Sequence, residues 1–313
     1  MKFSPLLKMG AASVFIITIV FIGFLYMVKT QPAKNIDVPI PKKNVQFGII
    51  DGLGLYDNDK NITIENRFVT WKKDDVSDIK KAFEETSKKN RSTILTLEPW
   101  GFSNESRIEL LPAIIKGEYA STIVAICKEI DLQSTPVYLR WGHEMDLYPG
   151  SRYNWAQPEP QPYITAFQYV TNLCRKQTKN VKMLWSPGGK AGFTAFYPGD
   201  DYVDAIGFSI FSYEAFEMKN SKRNFNFIDL FDYRYNQVKN YRKEVIIAEM
   251  GVAGTDEYKE NWIKLAMTRI NNPEIQRYLK YVVYFNEDDN IVWDADLVKP
   301  NFTIKNELFP NII

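Results

Sequence analysis

The chemistry in this chain is concentrated in residues 140–146, RWGHEMD, which hold its single histidine, His143, beside Glu144. The apolar run 137–139 leads straight into that polar group, which is how a buried strand delivers side chains to the mouth of a parallel barrel. A second apolar run, 245–248, ends the same way in Glu249. Two carboxyl groups at the ends of two strands far apart in sequence are the equipment for cleaving a glycosidic bond. Glu98, in LEPWG after another apolar run, is the next carboxylate in line.

These residues need a frame, and the pattern supplies one. Short apolar runs predict strands at 45–50, 67–71, 93–97, 137–140, 181–185, 203–208, 245–248 and 281–285. Amphipathic stretches predict helices at 75–89, 118–130, 163–176, 227–240 and 257–270. The first of these turns Val76, Ile79 and Phe83 inward and is capped by Asp74 or Asp75. Eight buried strands alternating with helices predict an α/β fold, a closed (β/α)8 TIM barrel preceded by one N-terminal transmembrane helix. The first and fifth crossovers, 52–66 and 188–201, are rich in Gly, Asp and Asn and show no helical period. An open doubly wound sheet is the alternative, but no glycine-rich phosphate loop follows the first strand.

Residues 9–28 form an uncharged run of about the twenty residues that cross a bilayer, preceded by Lys2 and Lys8. The run ends in large side chains, Phe24 to Val28, without the small residues of a cleavage site. The expectation is an uncleaved membrane anchor over 1–29, with the remainder outside the cytoplasm; a cleaved signal and secretion are the alternative. Residues 30–43, with Pro32, Pro39 and Pro41, read as an extended tether, and 44–313 as one catalytic domain.

Thirty-nine Lys and Arg stand against 38 Asp and Glu, without a long basic block, so nucleic acid is not an expected partner. No obligate protein partner is evident. Cys127 and Cys174 fall on the apolar stripes of two predicted helices and read as buried free thiols; a disulfide, which export would permit, is the alternative. A single histidine and no Cys/His cluster leave no case for a metal or other cofactor. Asp200 and Asp201, just before a strand, read as turn caps. Trp71, Trp100, Trp141 and Trp185 lie near strand ends, where an indole either stacks on the C–H face of a sugar or fills the core.

Beyond the tether, the chain resembles glycoside hydrolase family 26, within a clan of (β/α)8 retaining glycosidases. The resemblance rests on LRWGHEMD followed by Tyr148, Trp155, the helix 163–176 and VKMLWSPGG, then FYPGDDYVDAIGFSIF, VIIAEMG and YFNEDDNIVWDAD in the same order. It implies that Glu144, in the HEM pattern, is the acid/base, and that Glu249, in AE before a small turn residue, is the nucleophile. It also implies that His143 contacts a hydroxyl of the sugar in the cleavage subsite. Glu98, Trp100, Asp146, Trp155, Trp185, Tyr213 and Trp293 are the remaining candidates for the substrate-binding rim, with Asp51 near them. As a sixth-strand tyrosine does in relatives, Tyr213 would hydrogen-bond the nucleophile. The resemblance implies an endo-acting enzyme on a β-linked polysaccharide, with carboxyl groups about 5–5.5 Å apart and retention of configuration. Mannan is the foremost substrate of the family; β-glucan, xylan or a bacterial exopolysaccharide are the others. Asp146 departs from the HEMN form frequent among mannan-cleaving members. A noncatalytic polysaccharide-binding or assembly protein on the same barrel is the alternative.

Physical reasons support these roles. Burial beside Trp141 and Met145, together with the charge of Glu249, should raise the pKa of Glu144 until Glu249 becomes an ester. Arg140 shares an alternating strand face with Gly142 and Glu144. Its guanidinium would hold Glu249 ionised, or else serve as a structural ion pair inside the barrel.

Overall fold

Eight parallel strands close into one barrel in sequence order: β1 Gln46–Ile50, β2 Ile62–Thr70, β3 Ser92–Glu98, β4 Val137–Trp141, β5 Val181–Trp185, β6 Ala205–Tyr213, β7 Glu244–Ala253 and β8 Leu279–Phe285. The computed structural model describes residues 45–102, 107–149, 152–289 and 292–304. The expected anchor and tether, 1–29 and 30–43, lie outside the described residues. Among the described residues no single helix is long and apolar enough to cross a membrane.

Strands β3 to β8 are buried on both faces, which is why they read as largely apolar runs rather than alternations, whereas β2 carries Glu65, Asn66 and Arg67 in its middle and exposes Phe68 and Thr70. Ile64, Ile94, Tyr138, Leu184, Ala205, Ile246, Ala248, Tyr281 and Val283 fill the barrel interior. Leu95, Leu97, Leu139, Trp141, Met183, Trp185, Phe208 and Ile247 face outward into the layer shared with the helices. That layer holds α1 Ser77–Lys88, α2 Arg107–Ile115, α3 Ala120–Asp131, α4 Pro160–Gln177, α5 Glu214–Ser221, α6 Phe227–Val238, α7 Asp256–Ile270 and the short α8 Pro273–Gln276. The N-cap of α1 is Val76, without a side-chain cap, so the expectation of Asp74 or Asp75 there is corrected; the Asp75 carboxylate accepts the Ser77 N–H at 2.8 Å from one residue further out.

Three helices were not legible in the pattern, one of them the four-residue α8. Helix α2 buries Leu110, Leu111, Ala113 and Ile114, an apolar surface too broad to show a helical stripe. Helix α5 is the opposite case, because its one buried residue is Glu217, which accepts from the Ser212 hydroxyl and the Phe225 N–H at 2.7 Å each. The first crossover holds no helix, and the fifth holds only a 3-10 turn at Phe193–Phe196.

The free-thiol expectation is corrected. Cys127 of α3 and Cys174 of α4 form a disulfide, with Cα atoms 5.1 Å apart. Both lie on apolar stripes, as expected, but the two helices pack side by side, so the stripes face each other. Forty-seven residues separate the pair in sequence, and only the docking of the helices brings them together.

Candidate active site

Above the apolar middle of the barrel lies a polar layer contributed by β2, β3, β4, β6, β7 and the end of β5: Asn66, Thr96, Arg140, Ser209, Glu249 and Ser186, all nearly or completely buried. Arg140 is its hub. Its guanidinium pairs with Glu249 Oε1 at 2.6 Å and donates to Ser186 Oγ at 2.8 Å, Ser209 Oγ at 2.9 Å and Thr96 Oγ1 at 3.4 Å. The Ser209 hydroxyl in turn donates to Glu249 Oε1 at 3.1 Å. Both readings of Arg140 therefore meet in one contact, since the ion pair inside the barrel is the one that holds Glu249.

Strand alternation alone would not have aimed Glu249 here. Ala248 faces the interior with Ile246, so a regular strand would turn Glu249 out to the helices. Between β6 and β7, Phe208 is opposite Ile247 and Ser209 is opposite Glu249, which leaves Ala248 as one extra residue. This bulge turns two consecutive side chains inward, and such bulges re-aim side chains at active sites.

A different device aims Glu144. Strand alternation predicts it on the face of Arg140, but β4 stops at Trp141. The backbone then takes left-handed conformations at Gly142 (φ 56°) and at Glu144 itself (φ 57°). A Cβ on Gly142 would have room, with its nearest neighbour at 3.4 Å, so the conformation rather than space calls for glycine. At Glu144 the same conformation is uncommon for a side-chain-bearing residue and is held in place by its surroundings, including the Glu144 N–H donated to the Ser186 carbonyl at 2.8 Å.

Glu144 and Glu249 line one cleft of about 490 Å³ together with Phe68, Glu98, His143, Arg152, Tyr153, Phe211, Phe285, Glu287, Asp288, Asp289 and Trp293. Burial, and next the charge of Glu249, push the Glu144 carboxyl up to about 7, against the opposing effects of Arg140 and a hydrogen bond with Ser209. Near neutral pH the cleft thus offers one carboxyl able to donate a proton. Burial also pushes His143 well below the usual histidine range, helped by the charges of Arg140 and Arg152, so it is neutral here. Its Nε2 lies 3.0 Å from the Tyr153 hydroxyl, while the buried Nδ1 has no hydrogen-bond partner among the described residues.

Glu98 and Trp293 join the two glutamates and His143 at the cleft, as expected. Trp100 stands beside it, donating its indole N–H to Glu98 Oε2 at 3.2 Å. Trp155 is fully buried and supports the wall instead of lining it: its indole N–H donates to the His143 carbonyl at 2.7 Å and its ring stacks on Tyr153 at 4.5 Å. Trp185 is fully buried against Phe193 and Tyr197. Asp146 is turned away from the cleft. Its carboxylate accepts three backbone N–H groups, from Gly188 at 2.6 Å, Gly189 at 2.9 Å and Lys190 at 2.7 Å, and so pins the loop after β5. This role favours a carboxylate over the amide of the HEMN form, because every approaching group is a donor.

The expected Tyr213 contact is also corrected. Strand β6 carries Tyr213 past the mouth, and its hydroxyl donates to the Val298 carbonyl at 2.9 Å instead of to Glu249. Tyr213 lines a larger hollow of about 930 Å³ alongside, which shares Asp288 with the cleft but contains neither catalytic candidate. Asp51 accepts the Tyr56 N–H at 2.8 Å and organises its own loop.

Sequence reasoning missed the Arg140 partners Ser186 and Ser209, the cleft residues Phe68, Arg152 and Tyr153, and the acidic wall of Glu287, Asp288 and Asp289. The acidic wall had a signal: three consecutive carboxylates directly after the β8 run, the position at which barrel strands deliver functional groups. Small hydroxyl residues inside apolar strands carry no comparable mark.

The comparisons with known proteins agree with this geometry. Residues 113–277 match the model of glycosyl hydrolase family 26. Endoglucanase H of Acetivibrio thermocellus is 23% identical over 245 residues, which is 75% of this chain and 26% of that protein. A beta-1,3-xylanase of an Alcaligenes species is 28% identical over 104 residues, 32% of this chain and 21% of that protein. The chain thus spans about a quarter of the length of these relatives. In fold it is similar to the GH26 beta-mannanase of Bacteroides ovatus, with a TM-score of 0.54 and 17% identity over 79% of this chain and 81% of that one. With a closed eight-stranded barrel, two glutamates in one cleft at the ends of β4 and β7, and a family match over more than half its length, the chain belongs to glycosyl hydrolase family 26.

Proposed function

We propose that this chain is a retaining endo-β-glycosidase, with Glu144 as acid/base and Glu249 as nucleophile, acting on a β-linked polysaccharide outside the cytoplasm. The observation that carries the reading is the division of labour between two carboxyl groups in one cleft. Glu144 is held up to about 7 by burial and by the charge of Glu249, while Glu249 is paired with Arg140 at 2.6 Å. The first can protonate the leaving oxygen, and the second can attack the anomeric carbon. Formation of the glycosyl ester removes the charge of Glu249, lowers the pKa of Glu144 and fits it to act next as base toward water. Neutral His143 suits a sugar hydroxyl, which can both donate and accept.

With Glu144 raised to about 7 and Glu249 paired with Arg140, four further carboxylates, Glu98, Glu287, Asp288 and Asp289, line the cleft beside Arg152. Such a field repels uronate, sulfated and phosphorylated polymers and suits a neutral backbone. β-Mannan leads the candidates, followed by β-glucan, xylan and neutral bacterial exopolysaccharides. The expected anchor at 1–29 would hold the domain at the cell surface or in the periplasm, and the Cys127–Cys174 disulfide suits an oxidising compartment.

The test is release of reducing ends from β-mannan, mixed-linkage β-glucan, cellulose and β-1,3-xylan, with proton NMR of the fresh product. The expected result is cleavage with the β-anomer first. Glu144→Ala and Glu249→Ala should each lower turnover on the order of 10⁴-fold, with Glu144→Ala keeping first-step activity on aryl glycosides that need no proton. An α-anomer appearing first would sink the mechanism, and binding without cleavage would make the chain a carbohydrate-binding protein.

A further inference from the structure

We propose that Asn66 and Thr96 are positioning residues that fix the backbone and the carboxylate of Glu249 together, through one closed circuit of contacts across the barrel. The inference rests on the reading of Glu249 as nucleophile. Asn66 donates its amide to the Ala248 carbonyl at 3.0 Å and accepts the Thr96 hydroxyl at 2.6 Å. Thr96 receives Arg140 at 3.4 Å, and Arg140 holds Glu249 at 2.6 Å. The peptide bond from Ala248 to Glu249 closes the ring. Asn66 and Thr96 are essentially inaccessible to solvent and neither lines the cleft, so their effect on a substrate must pass through Glu249.

The bulge explains why such a circuit is needed. Ala248 is the extra residue of β7 opposite β6, and on the other side the register with β8 jumps from Ile247 opposite Val282 to Met250 opposite Tyr284. The peptide that carries Glu249 is therefore loosened from the regular ladder on both edges. Asn66 reaches it from β2, which is not a neighbour of β7, and supplies the donor that the bulged carbonyl requires. Asparagine suits the place because it donates from one atom and accepts on the other; leucine fills the same space and does neither. A nucleophile fixed only by its carboxylate could pivot about its backbone, and one fixed only by its backbone could rotate about its side-chain bonds. The circuit removes both freedoms, and a displacement of about 1 Å at a reacting atom is worth about 100-fold in rate.

The experiment uses the full chain and whichever of β-mannan, mixed-linkage β-glucan, cellulose and β-1,3-xylan it cleaves. Asn66→Leu should lower kcat by about 30-fold or more while KM stays within about twofold. Thr96→Val, which spares the Asn66–Ala248 bond but cuts the link to Arg140, should lower kcat by about five- to tenfold, and Thr96→Ser should restore it. Thermal unfolding of each variant separates this from loss of fold, and Thr96→Val decides the matter if Asn66→Leu does not fold. Normal kcat in a folded Thr96→Val, or in a folded Asn66→Leu even with a lowered Tm, would reduce the circuit to structural support and overturn the proposal. Full activity in Glu249→Ala, or no cleavage of any polymer, would instead overturn the reading of the site on which it rests.

Discussion

The two ends of the barrel interior each hold a charged cluster with a glutamate from β7 and a residue from β4 or the loop after it, yet the clusters have opposite electrostatics. At the lower end, Glu244 of β7 meets the Tyr138 hydroxyl of β4 at 2.8 Å and two lysines, Lys182 at 3.4 Å and Lys280 at 3.5 Å. At the upper end, Glu249 of β7 and Glu144 after β4 share one cation, Arg140. Burial works to raise Glu244, but Tyr138, Lys280 and Lys182 together outweigh it and hold its carboxyl below the usual range. Burial and a like charge raise Glu144 to about 7. One carboxylate with two cations satisfies itself, whereas two carboxylates with one cation leave a proton ready to move. The difference lies in the ratio of charges and in closure from water, since each end brings acids and bases together.

Breaking the upper cluster at its hub should have the largest effect. Arg140→Met would leave the buried Glu249 unpaired, at a cost of about 3–5 kcal/mol in urea unfolding and a fall in kcat of about 100-fold or more. A stable and active Arg140→Met would mean that Ser209 alone suffices to hold Glu249.

The same substitution, Glu to Gln, should then have opposite signs at the two ends. The carboxyl of Glu144 is raised from 4.5 to about 7, so ionising it costs the folded state more and more as pH rises through that interval. Glu144→Gln should therefore be more stable than wild type at pH 8, by about 3 kcal/mol, and about equally stable at pH 4, as read by urea unfolding. A gain of equal size at both pH values would point to packing instead of charge.

Glu244→Gln should show the smallest effect and the reverse sign. Its lowered pKa makes it a stabilising group above the ordinary carboxylate range, a contribution lost as pH falls through the lowered value. With side chains about a third exposed, the expected loss is about 1 kcal/mol near neutral pH, with kcat unchanged. A change in kcat would show that the two ends communicate through β4 or β7.

Legibility in the sequence followed the range of the interactions. Seven strands announced themselves because burial on both faces writes an apolar run; β2 showed only its second half, from 67, because Glu65, Asn66 and Arg67 interrupt its apolar pattern and left 62–66 in the expected crossover. Glu98, Glu144 and Glu249 stood out because charge ends such a run abruptly. Helix α2 was hidden because its apolar surface is too broad to show a period, and α5 because it buries a glutamate. Asp146 and Tyr213 sat in the right segments, but their side chains point to Gly188 and Val298 rather than to the cleft. No local pattern records which way a loop side chain turns.

The sequence by itself determined most of the strands and helices and singled out the two glutamates that share the cleft, because burial and chemical type are properties of a residue and its near neighbours. Only the tertiary structure decided that Ala248 bulges and swings Glu249 inward, that Cys127 meets Cys174, and that Asn66 and Thr96 are joined to Ala248 and Arg140. Each of these is a pairing between segments far apart in the chain. Such pairings are fixed by how strands register and helices dock, and a polar residue inside an apolar strand gains its meaning from the partner that arrives across the barrel.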